Sequence, residues 1–320
     1  MSDGYPGMSP EQTPHVTILL AIRDGGAALD TQLDSYLQQS LKPSHILASD
    51  DGSRDNSVAR FDAFAHRAAA AGIRCQRVQG PRRGATVNFL SLLAQASPAS
   101  CYVALSDQDD IWLPQKLAKA CQLLSPHADA PALLGTRSWE WDSLRDQRHL
   151  SRSVPLPHDF RHALVQNFAG GNTMVLNRTA LHLVQRALPR VVEAAVHDWW
   201  LYQLISGAGG RVILDPEPQI LYRQHAGNQI GANSTLTSKL SRLRAMLNGR
   251  YRRWNDLNIA ALEPNMDLLT ADSRDILVQF SRHRQDGVIA RLQMLRQTGL
   301  RRKGGLNQAS LWLAALLGRL

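Results

Sequence analysis

Three carboxylates, Asp107, Asp109 and Asp110, arrive within four residues in the stretch Leu105-Ser106-Asp107-Gln108-Asp109-Asp110-Ile111-Trp112. Acids packed that closely repel one another, and an uncompensated cluster in a partly buried site is unfavourable. A cation would relieve it. Oxygen-only ligands suit a hard divalent ion such as Mg²⁺ or Mn²⁺, which commonly holds substrate phosphates as well. The competing reading is a polar turn in which Asp110 caps the next helix. Ahead of the acids, Tyr102-Val103-Ala104-Leu105 reads as a buried strand, so the acids sit where that strand should end.

Other stretches carry chemistry of a matching kind. Ser49-Asp50-Asp51-Gly52-Ser53 follows the apolar run His45–Ala48. A carboxylate there can accept from a nucleobase N–H or a ribose hydroxyl; it can also simply belong to a tight, capped turn. Gly80-Pro81-Arg82-Arg83-Gly84-Ala85 precedes a helix expected over 86–96. Arginines and glycine before a helix N-terminus suit a phosphate, and a solvated basic loop fits the same residues. In Phe168-Ala169-Gly170-Gly171-Asn172-Thr173 the glycines permit close approach to a sugar and Asn172 both donates and accepts. A bulge opening a strand is the alternative. Val196-His197-Asp198-Trp199-Trp200-Leu201 predicts a helix start, where the macrodipole favours an anion. Asp198 is there either a working acid beside aromatics that could stack on a sugar, or an N-cap with both tryptophans in the core. Last, Tyr222-Arg223-Gln224-His225 offers an arginine for a diphosphate and a ring nitrogen for a metal, or else a surface histidine.

The elements that must position these residues alternate strand and helix. Strands are expected at 15–22, 45–48, 73–78 and 102–105, with helices at 28–41, 57–71 and 86–96. That order makes parallel crossovers and an α/β sheet, and open α/β sheets bind ligands at the carboxyl ends of strands. A helix over 114–124, a short strand at 132–136, a long irregular stretch at 139–162, a helix from Asp198 to about 206 and strands at 210–215 and from 220 follow. From Ser238 the pattern turns helical: Leu240, Leu243 and Leu247, then 276–280, then Ile289, Leu292 and Leu295 keep helical spacing among many arginines. Gly304-Gly305 precedes an apolar end at 309–317.

Composition bounds the answer. The chain has 320 residues, 44% of them apolar, enough for a large core. Three cysteines in no metal or disulfide spacing fit a reducing compartment. Residues 1–14 are polar, with Gly and Pro and no signal-peptide core; they are expected to be flexible. No apolar run is long enough to span a bilayer. The net charge of +9 is uneven: residues 236–320 hold fifteen lysines and arginines against six acids, whereas 1–235 hold twenty-one of each. A basic C-terminal region implies an anionic partner such as a membrane surface.

Val16–Ile22, Ser49–Ser53 and Ser106–Asp110, in that order and spacing, resemble the family 2 glycosyltransferases of the GT-A fold. Leu-Ser-Asp-Gln-Asp-Asp-Ile-Trp-Leu-Pro-Gln-Lys-Leu is especially similar to bacterial rhamnosyltransferase-like members. The resemblance covers about residues 14–232. It implies a GT-A (Rossmann-like), mostly parallel sheet flanked by helices, with a catalytic domain over 15–235 and a basic helical extension over 236–320. Within the catalytic domain, 15–112 would be the nucleotide-sugar half and 113–235 the acceptor half. A nucleotide-diphosphate sugar would be bound by Ala21, Arg23, Asp50, Asp51, Arg83, Gly84, Asn88, Asp107, Gln108 and Arg223. A divalent cation would be held by Asp107, Asp109 and His225, and Gly170, Gly171, Asn172, Trp199 and Trp200 would face the acceptor. Inverting members carry two acids where this chain has His197-Asp198, so Asp198 alone carries over as general base.

The expected activity is inverting, metal-dependent transfer of a sugar, with rhamnose from a deoxythymidine-diphosphate donor suggested by the similarity. The acceptor would be a glycan or lipid-linked glycan, and the place the cytoplasm or the inner face of the plasma membrane. Two other classes compete. A nucleotidyltransferase would favour a Gly-rich triphosphate loop after the first strand, and Arg23-Asp24-Gly25-Gly26 is a poor one. A nucleic-acid binder would want aromatic platforms among the basic residues, and 236–320 offers few; no nucleic-acid partner is expected.

Overall fold

All of β2 (His45–Asp50) is buried, as is nearly all of β1 (Val16–Ile22). Strands covered on both faces must lie inside a layered sheet, and alternation along them divides the side chains between two cores. In the computed structural model, which describes residues 14–153, 158–224 and 249–320, Val16, Ile18, Leu20 and Ile22 join one apolar cluster while Leu19 joins the other. Helices α1 (Gly26–Leu37), α2 (Ser57–Ala70) and α4 (Lys116–Leu124) cover the first face. Helices α3 (Ala85–Gln95), α5 (Phe160–Ala163), α6 (Arg178–Ala187) and α7 (His197–Gly207) cover the second.

Among the described residues the sheet has nine strands. With β3 (Arg74–Gln79), β4 (Tyr102–Ser106), β5 (Ile111–Trp112), β6 (Ala132–Asp142), β7 (Gln147–Leu150), β8 (Val175–Asn177) and β9 (Arg211–Arg223), the order is β3-β2-β1-β4-β8-β6-β9-β5, and β7 pairs with β6. The first four strands are parallel, and so are β6 and β9; the β4–β8, β8–β6, β6–β7 and β9–β5 pairs are antiparallel. Most paired residues thus lie in parallel ladders, and the carboxyl ends of β2, β1 and β4 stand side by side.

Two expectations needed correction. The first part of the stretch 139–162 is not irregular. β6 runs on to Asp142 and turns into β7, because Trp139 and Trp141 continue its parallel pairing with Leu221 and Arg223 of β9. All four residues of β7 are exposed, so no buried alternation marks it as a strand. Likewise 211–223 is a single strand, β9, whose register with β6 shifts between Asp215 and Pro218.

The C-terminal region forms α8 (Arg250–Leu262), α9 (Ala271–His283), α10 (Val288–Thr298) and α11 (Gly305–Leu316). Ile259, Leu262, Leu277, Phe280, Leu295 and Leu311 share one cluster with α7 and with β4. Several polar ties reinforce the junction: Tyr251 Oη donates to the Val165 carbonyl at 2.8 Å, Arg161 pairs with Asp272 at 2.8 Å, and Arg301 pairs with Asp159. Leu240, Leu243 and Leu247 lie outside the described residues.

Candidate active site

At the donor-side strand ends, main-chain N–H groups and side chains are sewn together. Asp51, just after β2, is buried; its Oδ1 accepts from Arg82 N at 2.6 Å and its Oδ2 from Gly84 N at 2.8 Å. The Arg23 guanidinium, at the end of β1, lies 3.8 Å from Asp51 Oδ2. Asp50 accepts from Ser53 N at 3.2 and 3.3 Å. Between them the chain turns at Gly52, whose φ of +92° is open to glycine at no steric penalty. Both acids therefore first hold a loop in shape, and only their remaining lone pairs are open to a ligand.

Gln108 and Asn88 have similar work. Gln108 Oε1 accepts from Arg23 N at 2.7 Å and its Nε2 donates to Arg23 O at 2.8 Å, so its amide staples the β4 end to the β1 end. Asn88 is 1% exposed: its Nδ2 donates to Ser49 O at 3.1 Å and its Oδ1 accepts from Ser49 Oγ. Expected as a donor-binding residue, it is instead a buried brace between α3 and β2. Ala21 is partly buried beside Ser49 in the ladder. Arg83 is exposed; with Gly84, Thr86 and Val87 it faces Glu193 and Ala194 across a small cavity at the start of α3.

The acidic stretch follows β4 directly. Asp107 is half-buried, and no lysine or arginine among the described residues pairs with it. Burial, then the Asp110, Asp109 and Asp198 carboxylates, push its pKa well above the usual range. Crowded acids with raised proton affinity fit a divalent cation better than a proton-free resting state. No three His, Cys, Asp or Glu side chains among the described residues converge as a metal cage. Asp107 and Asp109 could hold such an ion together with substrate oxygens, the usual manner of Mg²⁺. His225 lies outside the described residues.

Asp110 is a different kind of acid. It is fully buried and does not cap α4, whose first flanking residue is Gln115. Its Oδ2 accepts from Asn172 Nδ2 at 2.6 Å and its Oδ1 from Arg223 N at 3.3 Å. Arg223 Nε donates to Asp109 O at 3.0 Å, and its guanidinium lies 4.6 Å over the Trp141 ring. The acids, Asn172 and Arg223 thus meet, although more than a hundred residues separate their ends in the chain.

Asn172 sits in a three-residue helical turn, Gly171–Thr173, that follows Gly170. A Cβ on Gly171 would collide with His197 Nε2, so this position requires glycine for close approach to α7. Gly171 N donates to Asp198 Oδ2 at 3.0 Å, and Trp199 N donates to Asp198 Oδ1 at 2.6 Å. Burial raises the Asp198 pKa to about 6, against these hydrogen bonds, which favour the anion. An acid poised there can take up a proton near neutral pH. His197, in the place of the family's first acid, is held neutral: burial lowers its pKa to about 3, and its ring stacks on Phe89 at 4.1 Å.

The two tryptophans are corrected. Trp200 is 0% exposed. Trp199 is 5% exposed, donates its indole N–H to Ala163 O at 2.6 Å and stacks against Tyr251 of α8. Both anchor α7 in the core, and neither presents a face to a sugar. Sequence reading also passed over Lys116, whose ammonium donates to Asn172 O at 3.2 Å. The signal was present: Lys116 falls on the buried stripe of α4 with Leu117, Ala120, Cys121 and Leu124.

Carboxylates at the ends of neighbouring parallel strands, backed by a buried acid at a helix start, are what a sugar-transferring α/β enzyme needs. The model of glycosyl transferase family 2 matches residues 17–183, just over half of the chain. The chain belongs to this family. It is a glycosyltransferase, as the acidic stretch and its flanking residues led one to expect. Over 239 residues it is 27% identical to the dTDP-rhamnosyl transferase RfbG of Shigella flexneri, covering 73% of this chain and 81% of that protein. Solved glycosyltransferases share its fold. The S. aureus TarS fragment 1–349 in complex with UDP-GlcNAc matches at a TM-score of 0.53 and 16% identity, over 94% of this chain and 79% of that one. The mannosyltransferase PcManGT of Pyrobaculum calidifontis, in complex with GDP-Man and Mn²⁺, matches at 0.51 and 16%, over 97% and 87%. At such identities the likeness bears on the fold, which is GT-A.

Proposed function

We propose that this glycosyltransferase moves a sugar, with inversion, from a nucleotide-diphosphate donor to a hydroxyl of a glycan or lipid-linked glycan. The observation that carries the reading is the contiguity of the acids. Asp51 touches Arg23, Gln108 staples Arg23 to the acidic stretch, and Asp107 feels the charge of Asp198. A donor lying along the ends of β2, β1 and β4 would place its base against Asp50 and Asp51, its diphosphate beside Arg223, and its anomeric carbon between Asp107 and Asp198. Gly170, Gly171 and Asn172 would line the acceptor side.

In this reading Asp198 takes the proton of the acceptor hydroxyl as that oxygen attacks the anomeric carbon. The bond from that carbon to the diphosphate breaks on the opposite face, and its electron pair leaves with the diphosphate. A positioned base contributes about 10²–10⁴-fold; orientation by the loops contributes the remainder. A divalent cation, Mg²⁺ or Mn²⁺, bound by Asp107 and Asp109 would supply charge neutralisation at the departing diphosphate. Rhamnose on a deoxythymidine-diphosphate donor is the first candidate, from the similarity to the Shigella flexneri enzyme. A panel of nucleotide sugars, each with and without Mg²⁺ or Mn²⁺, tests the donor. The true donor should raise the melting temperature with the ion present, through ligand linkage, and yield a product of inverted anomeric configuration. A retained configuration would sink the mechanism.

The C-terminal helices extend the reading to a peripheral contact with the anionic inner leaflet of the plasma membrane. No helix among the described residues is long and apolar enough to cross a membrane. Yet Leu306, Leu313, Leu316 and Leu317 are exposed on and just beyond α11, as is Ile289 on α10. Apolar side chains in a region that holds all the excess positive charge fit an anionic bilayer surface. Leu313→Glu with Leu317→Glu should abolish co-sedimentation with phosphatidylglycerol vesicles while leaving phosphatidylcholine controls unchanged. Undiminished co-sedimentation would exclude this surface.

A further inference from the structure

We propose that Lys116 is a positioning residue for sugar transfer: with Asp110 it fixes the turn Gly171–Thr173, and that turn fixes the carboxylate of Asp198. The inference rests on reading Asp198 as the base.

The turn is bracketed at both ends. At its start Gly171 N donates to Asp198 Oδ2 at 3.0 Å. At its end Lys116 Nζ donates to the carbonyls of Asn172 and Thr173, at 3.2 and 3.4 Å. Between them the Asn172 amide donates to Asp110 at 2.6 Å. Inside the turn Thr173 N donates to Gly170 O at 3.0 Å and Met174 N to Gly171 O at 2.9 Å. The turn packs closely on α7: a Cβ added at Gly171 would collide with His197 Nε2. A chain of contacts therefore runs from the end of the acidic stretch to the base through one short, fully bonded turn.

The lysine is an unusual occupant of its place. Lys116 is 1% exposed and lies 4.6 Å over the Trp112 ring, on the apolar stripe of α4. Burying an ammonium is unfavourable, and burial lowers the Lys116 pKa to about 7 against the attraction of the Asp110 carboxylate. What the ammonium does that a methionine cannot is hold two carbonyls, and with them the path of the turn. A turn loosened by about 1 Å carries Gly171 N away from Asp198, and misplacement on that scale lowers rates by about 10²-fold.

The test compares Lys116→Met with the wild-type protein. Asp198 is faced by Asp107 from the end of β4, by the Asn167 side chain and by His197 of its own helix. Lys116→Met also removes a positive charge that acts on Asp110, and Asp110 acts on Asp107, so a shift in the titration of Asp198 reports the turn only together with the Gly171 amide resonance. The turnover number should fall by about 10²-fold, with the KM for the donor nearly unchanged. The acid limb of the rate profile should move to higher pH, because the lost Gly171 N–H bond favours the ionised carboxylate. An unchanged turnover number and limb would overturn the proposal. In the wild-type protein, whatever the variant does, the Gly171 amide resonance should titrate with the midpoint of that limb. A Gly171 resonance indifferent to pH would also overturn it. Asp198→Asn keeps the two readings apart. Full transfer in that variant removes the base itself; lost transfer there with none lost in Lys116→Met removes only the role of the lysine.

Discussion

Two walls at the strand ends, the one proposed for the donor's base and the one proposed for the chemistry, are built from similar residues and behave differently. In the first, Asp51 and Gln108 meet main-chain groups of Arg23, Arg82 and Gly84, and their hydrogen bonds define a shape. In the second, Asp107, Asp109 and Asp110 crowd one another and Asp198 is buried. Even with main-chain and amide donors in place, burial pushes Asp110 up to about 7 and Asp198 to about 6. Hydrogen bonding alone does not decide whether an acid shapes a loop or handles protons. The neighbouring charges matter as well: Asp51 has the Arg23 guanidinium beside it, whereas Asp107 and Asp110 have other carboxylates. One wall holds loops in shape, and the other is chemically poised.

The contrast can be broken at several points. Asp109→Ala, which removes one carboxylate from the acidic stretch, should abolish divalent-dependent donor binding in calorimetry and lower transfer by about 10²-fold or more, since cation-mediated charge stabilisation is worth several kcal/mol. Equal donor affinity with and without the ion in the wild-type protein would count against that wall's role. The pH dependence comes next. The base works ionised, so turnover should be level above about pH 7 and fall as pH drops through about 6, approaching tenfold per unit below about pH 5. A flat profile down to pH 5 would show that no acid of that pKa takes part.

Smaller effects sharpen the comparison. Gly171→Ala forces a Cβ against His197 and should destabilise by about 1–3 kcal/mol, as overpacking does, visible as a lower melting temperature. On the donor wall, Asn88→Ala leaves Ser49 O and Oγ without their partner. That should destabilise the fold by about 1–3 kcal/mol, with donor affinity per folded molecule unchanged. A selective loss of donor affinity at full stability would return Asn88 to the list of ligand contacts.

Much of this was legible in the sequence, and the physics says which parts. Strands β1, β2 and β4 are buried on both faces and read as apolar runs, so their ends, and the acids on them, could be placed. Alternation in β7 was invisible because nothing covers it. The structural work of Asn88, Gln108 and Trp200 was not legible, for a common reason. A polar or aromatic residue beside a motif looks the same whether it faces a ligand or a neighbouring strand, and only distances such as the 2.7 Å from Arg23 N to Gln108 Oε1 separate the two. Lys116 was legible in principle as a cation on an apolar stripe. The C-terminal helices were read as an extension; α8 packs on α7 and α9 on α5, so the helices over 249–320 supply apolar cover to the catalytic half.

The account stands most directly on Asp198. Donor affinity and transfer should be measured on the same preparation of Asp198→Asn, which keeps the shape of the side chain and removes its basicity. The account predicts wild-type donor binding with transfer reduced by about 10²–10⁴-fold. Transfer near the wild-type rate would contradict it.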